Sequence, residues 1–140
     1  IGKLQTNKVK FVLQLFDYIH SVDSKKLAKK IADEQLKLNK KIKIFLQINI
    51  GDENQKSGID KSELHQLVSY CKEIDLEVIG LMCIPPLDIN PKEHFAEMQK
   101  LNESLDFTEL SMGMSSDFLI AVEYLSTYVR IGSSIFGQRS

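Results

Sequence analysis

Short apolar runs alternate with amphipathic stretches along the whole chain, and that alternation predicts its elements. Val9, Val12, Leu13 and Phe16 recur at helical spacing within 8–16, and Tyr18 to Val22 reads as a short strand. Ser24 stands where an N-cap belongs, before a helix running to about Leu38 with Leu27, Ile31 and Leu38 on one face. Lys43 to Ile50 (KIFLQINI) is a β-rich run too short for a comfortable helix. From Asp60 to Ile74 the pattern turns helical again. Asp60 and Glu63 hold capping-box spacing, and Leu64, Leu67, Val68 and Cys71 share a face. Leu76 to Cys83 (LEVIGLMC) reads as a buried strand, and Pro91 fits the first turn of a helix carrying Phe95, Met98, Leu101 and Leu105. A strand at Glu109–Gly113, a helix at Asp117–Leu125 and a strand at Tyr128–Ile131 complete the series.

Strands that alternate with helices demand a parallel sheet. Helices on both faces of an open sheet, or around a closed barrel, both satisfy the pattern, and a (β/α) barrel needs eight strands where five are predicted. No repeat, linker or low-complexity segment divides the 140 residues, a single-domain length. The 43% hydrophobic content is enough for a real core, and the net charge of -1 argues against a nucleic-acid binder. No apolar run is long enough to span a bilayer, and no secretory signal opens the chain. Cys71 and Cys83 lack metal or redox spacing and read as reduced thiols of a cytoplasmic protein. The first residue is Ile, so the chain is expected to be processed or a piece of something longer.

The C-terminal region carries the most chemistry. SMGMSSD (111–117) and VRIGSSIFGQR (129–139) each end a strand in glycine and hydroxyl residues and lead into a helix start. Such turns expose backbone N–H groups to an anion, and the last two strands of (β/α) barrels supply the usual phosphate site. Ser115, Gly132 and Ser133 are the candidates to converge there, although ordinary strand-to-helix caps read the same way. Arg130, inside the last strand, cannot lose its proton and needs acceptors; it is either a sheet-closing salt bridge or a donor facing a ligand. Gln47 and Asn49 share one face of an apolar strand and point into the interior or bond within the core. His20 lines the same space or sits satisfied in the core, and His65 and His94 are expected on exposed helix faces. The loop GDENQKSG (51–58) lacks the ligand alternation and terminal Glu of a calcium loop. Lysines at 25, 26, 29, 30, 37, 40 and 41 form a solvated basic face.

IGKLQTNK (1–8), IHSVDS (19–24), QINIGDENQKSGI (47–59), GLMCIPP (80–86), SMGMSSD and VRIGSSIFG (129–137) closely resemble the pyridoxal-phosphate homeostasis protein family, in order and spacing. The resemblance implies a (β/α)8 barrel of the alanine-racemase N-terminal type, present here as about its last five strands plus the end of the third. Residues 1–140 would be the C-terminal portion of one such domain. It implies pyridoxal 5′-phosphate (PLP) as cofactor, held at the barrel mouth and delivered to PLP-dependent apo-enzymes. Ser115, Gly132 and Ser133 would hold the phosphate, and Arg130 would face the pyridine nitrogen. His20, Asn49, Met82 and Met114 would line the cavity. The family usually has Thr where this chain has Ser133; the hydroxyl survives. The family's Schiff-base lysine lies on a first strand that does not match any segment here, and Lys43 is at the wrong end of its own strand. An amino-acid racemase or decarboxylase of the same fold type is the rival reading, and a cofactor-free anion-binding scaffold is the bland one.

Two open sheet edges follow from an incomplete barrel, at Tyr18–Val22 and Tyr128–Ile131. Ile48, Leu81 and Ile131 are then expected to be partly wet, and the segment to pair with the missing strands or with a second copy.

Overall fold

A computed structural model describes residues 2–54, 57–87 and 89–139. Five parallel strands, β1 (Tyr18–Val22), β2 (Lys43–Ile48), β3 (Glu77–Cys83), β4 (Glu109–Met114) and β5 (Tyr128–Arg130), lie side by side in sequence order. Helices α1 (Val9–Leu15), α2 (Lys25–Leu38), α3 (Leu64–Glu73), α4 (Lys92–Ser104), α5 (Phe118–Glu123) and α6 (Ser133–Phe136) precede, connect and follow them. Every crossover steps to the next strand in the same direction. Right-handed crossovers then put every connecting helix on one face. That selects the barrel-type arrangement over an open sheet covered on both sides.

Registry assigns the two faces. Leu46, Leu81 and Leu110 are cross-strand partners, and with Ile44, Ile48, Cys83 and Met112 they join the helix-facing core. Leu13, Ile31, Leu67, Phe95 and Met98 meet them from α1 to α4. One position along, Gln47, Met82, Ser111 and Tyr128 are successive partners on the other face. That face is concave. Four strand spacings of ~4.8 Å would put β1 and β5 about 19 Å apart in a flat sheet. Instead the Tyr18 and Tyr128 rings lie 5.9 Å apart across the curl.

Ile48 and Leu81 are therefore fully buried, against the expectation that they would be wet. Their parity sends them to the helices rather than to the barrel interior. Ile131 is half-buried. The capping box at Asp60 is also absent, because a 3-10 turn at Lys61–Glu63 precedes α3 and the Glu63 N–H is taken by the Asp60 carbonyl at 2.9 Å. Ser24 does cap α2, accepting from Leu27 N at 3.1 Å. His94 is half-buried with Nε2 buried and unpartnered, while His65 is exposed.

Four helices close alike. A residue in the left-handed region follows α2, α3, α4 and α5: Asn39 (φ 48), Asp75 (φ 57), Asp106 (φ 58) and Leu125 (φ 66). The next N–H then reaches back five positions, Lys40 to Gln35, Leu76 to Cys71, Phe107 to Asn102 and Ser126 to Ala121. This is the Schellman closure, here without glycine.

Glycine is obligatory elsewhere. A Cβ on Gly80 would stand 1.9 Å from the Glu109 carbonyl oxygen, which belongs to backbone and cannot move aside. Gly80→Ala is therefore expected to part β3 from β4 and cost about 1–3 kcal/mol or more. Urea unfolding of the protein measures this, and an unchanged midpoint would refute the close approach.

Candidate functional site

Chemistry gathers on the concave face and at the C-terminal ends of β4 and β5. A cavity of about 420 Å³ is lined there by Tyr18, His20, Met82 and Arg130, with Lys3 and Leu4 arriving from the segment before α1. Its size lies within the roughly 300–1,000 Å³ of small-molecule sites.

Arg130 is 8% exposed, yet a guanidinium stays cationic. Its Nη2 donates to the Cys83 carbonyl at 2.8 Å, and Nη1 lies 3.5 Å from Ser111 Oγ. Its Nε is buried with no partner. Burial lowers the pKa of this group, with Cys83 and Asp117 opposing the shift. No carboxylate pairs with it among the described residues, so the sheet-closing salt bridge does not form.

His20 sits in an aromatic nest. Its ring stacks on Phe45 at 4.3 Å and meets the edge of Tyr128 at 5.5 Å. His20 Nδ1 is 2.8 Å from Ser111 Oγ. Burial, and then the Arg130 charge, depress its pKa to about 4, so the ring is neutral at pH 7. Cys83, whose side chain faces the helices, is pushed up to about 12 by burial and is a protonated thiol. Both cysteines are free and buried.

The turn after β4 is shaped by Asp117, whose Oδ1 accepts from Met114 N at 2.7 Å. Gly113 is held at φ 103, and a Cβ there would strike Ala121 at 2.8 Å, so this corner tolerates no larger residue. The folded corner presents Ser115. Its Oγ accepts from Gly132 N at 3.3 Å and from Ser134 N at 3.2 Å. Two backbone N–H groups thus converge on one oxygen beyond the end of β5. Around Gly132 the space is open, with nothing within 4 Å of an added Cβ, and Ser133 is exposed.

The structure therefore brings His20, Met82 and Arg130 to one cavity, and Ser115, Gly132 and Ser133 to one turn pair. Met114 is the strand partner of Arg130. Asn49 stands apart from the expectation. Its amide closes the loop after β2, donating to Glu53 O at 2.8 Å and accepting from Glu53 N at 3.1 Å, and it is not among the cavity-lining residues. Gln55 and Lys56 of that loop lie outside the described residues. Sequence reading missed Ser111, Phe45, Tyr128 and Lys3. The polar Ser111 inside an apolar strand was the available signal. Among the described residues no His, Cys, Asp and Glu cluster could hold a metal, and no helix is long and apolar enough to cross a membrane.

The family model for the alanine racemase N-terminal domain matches residues 1–140. The chain is 38% identical to a pyridoxal phosphate homeostasis protein of Synechocystis, covering 99% of this chain and 68% of that one. The chain belongs to the pyridoxal phosphate homeostasis family within the alanine racemase N-terminal fold. Its identity to the Aquifex aeolicus member is 39%, over 99% of this chain. It spans 65% of the Aquifex aeolicus protein and 64% of the Pasteurella multocida one, just under two thirds. Among solved structures, the chain superposes on the family member PipY of Synechococcus elongatus with PLP bound. That match has a TM-score of 0.89 and 33% identity, over 98% of this chain and 68% of PipY. The alanine racemase of Clostridium difficile has a TM-score of 0.72 at 14% identity, a likeness of fold alone.

The histidine gives this family member a defined pH response. Its folded pKa of about 4 lies below the ordinary 6.5. The unfolded chain therefore takes up the proton first as pH falls. The stability contributed by neutral His20 is full above about 6.5 and is lost progressively toward 4. Urea midpoints measured across that window should fall with pH, and His20→Gln should flatten the slope. An equal slope in wild type and variant would refute the assigned depression.

Proposed function

We propose that this chain is the C-terminal, cofactor-facing portion of a PLP-binding barrel that holds the cofactor and delivers it to PLP-dependent apo-enzymes in vitamin B6 homeostasis. The observation that carries the reading is one juxtaposition. Two converging backbone N–H groups lie in the turn just after β5, and a buried guanidinium whose Nε has no partner stands on the last residue of β5. PLP offers one end to each, a phosphate and a pyridine nitrogen. The PLP-bound relative PipY, so similar in fold and sequence, supports the same reading.

In this assignment Ser115 and the Gly132–Ser133 turn hold the phosphate, and the open space at Gly132 admits it. The Ser115 hydroxyl now occupies the position that a phosphate oxygen would share. Arg130 directs Nε–H to the ring nitrogen; His20, Met82 and Met114 flank the ring. Asn49 shapes the rim through the Glu53 loop instead of touching the ligand.

When bound, PLP supplies an electrophilic aldehyde and an electron-accepting ring. A permanent cation beside the ring nitrogen disfavours its protonation and weakens the ring as an electron sink, which suits holding the cofactor more than turning over amino acids. Among the described lysines, Lys43 begins β2 and only Lys3 lines the cavity, from an exposed position. Covalent attachment is assigned to a lysine outside this segment. The remaining elements of the full-length protein would cover exposed Phe11, Leu15 and Phe16 on α1 and its C-terminal end, and Val122, Ile135 and Phe136 on α5 and α6.

In the full-length protein, Arg130→Leu should displace the absorbance band of bound PLP more than it changes the unfolding midpoint. Ser115→Ala should weaken PLP binding by about tenfold, or ~1.4 kcal/mol. Unchanged spectra and affinity would remove both residues from the site. Borohydride reduction with stoichiometric PLP, followed by peptide mapping, should find no adduct within residues 1–140; a stoichiometric adduct on Lys3 would refute the noncovalent role of this segment. Turnover of an amino-acid panel near the median enzyme rate of about ten per second would favour the racemase or decarboxylase reading.

A further inference from the structure

Ser111 is fully buried in the middle of β4, with its Oγ 2.8 Å from His20 Nδ1 and 3.5 Å from Arg130 Nη1. We infer that Ser111 is a positioning residue of the concave cavity: its hydroxyl fixes His20 as the neutral tautomer with the proton on Nε2, and it links that ring to the Arg130 guanidinium.

The direction of each hydrogen bond follows from what the groups can do. A guanidinium only donates, so Ser111 Oγ accepts from Arg130. The hydroxyl hydrogen then needs an acceptor. Among the described residues, the Ser111 hydroxyl has no hydrogen-bond partner besides Arg130 and His20 Nδ1. If Nδ1 carried the proton, a buried hydroxyl hydrogen would be left without a partner, an arrangement that folded proteins avoid. An imidazolium would leave the same orphan and would also face a cation. The groups around the ring are Phe45 from β2, Ser111 from β4, and Tyr128 and Arg130 from β5. Burial is the largest cause of the lowered pKa of His20, and Arg130, the charged member of that set, opposes protonation further. Stacking on Phe45 at 4.3 Å restrains the ring from turning over and exchanging its two nitrogens.

His20 lines the cavity, and Nε2 forms no hydrogen bond among the described residues. The fixed tautomer therefore offers an N–H donor at the cavity, which the donor-only Arg130 also lines. A bound heteroaromatic ring would meet donors and no acceptor from this pair. That complementarity selects a ligand with acceptor atoms on its ring. The consequence for PLP rests on the reading above; the tautomer itself does not.

Long-range proton–nitrogen correlation spectra of the full-length protein without cofactor test the tautomer, with His20 assigned by its disappearance in His20→Gln. The wild type at pH 7 should show the Nε2–H pattern. Ser111→Ala should give mixed tautomers and raise the His20 pKa by about one unit or more, and Ser111→Thr, which keeps the hydroxyl, should restore the wild-type pattern. With PLP added, the absorbance band should move in Ser111→Ala and return in Ser111→Thr. A wild-type ring that is charged or protonated on Nδ1 overturns the inference even if no variant folds. So does a folded Ser111→Ala protein with an unchanged tautomer. Failure to bind PLP would remove the cofactor reading alone and leave the tautomer result standing.

Discussion

A buried guanidinium that cannot shed its proton governs this architecture. Arg130 lies at the end of β5, and the carbonyl it bonds belongs to Cys83 on β3, so its side chain crosses β4 to reach it. Such a reach is possible only over a concave face. The same curl brings the rings of Tyr18 and Tyr128 together from the two outermost strands. Among the described residues no carboxylate pairs with the charge, and its field adds to the burial that keeps His20 neutral. Sheet curvature thus gives the cation its acceptor on β3 and leaves its Nε buried without a partner.

The elements were legible because each has its own period and punctuation. Ser24 capped its helix where the pattern put it, and β2 began at Lys43. What did not show was which residues of a strand face inward. In KIFLQI every residue after Lys43 is buried, since helices cover one side and the curled sheet covers the other. Parallel strands of this sort read as continuous apolar runs, so alternation carries no signal. Only registry with neighbouring strands separates Leu46 and Leu81 from Gln47 and Met82. The same limit hid Ser111 and Phe45. Asn49 shared a face with Gln47 by parity, but the strand ends at Ile48 and a local turn captured the amide.

Fold and chemistry separate cleanly here. The alanine racemase likeness at 14% identity fixes the path of the chain and leaves the reaction open. Local features distinguish the site: an arginine without a carboxylate partner among the described residues, a neutral histidine stacked on phenylalanine, and a serine hydroxyl bridging two backbone N–H groups. Each occupies the C-terminal end or concave face of a strand, where (β/α) folds concentrate ligand contacts.

The four helix closures have a consequence for thermal headroom. An L-residue in the left-handed region is disfavoured by roughly 1–2 kcal/mol, with Asn and Asp spared part of that by local hydrogen bonding. Asn39, Asp75 and Asp106 fall in the spared group, whereas Leu125 at φ 66 has no such relief and is 60% exposed, so little packing compensates it. The corner before β5 is therefore strained where the other three are relaxed. Glycine at that position would release the strain without touching the cavity, and the native leucine leaves a margin on the order of 1 kcal/mol unused beside the strand that carries Arg130.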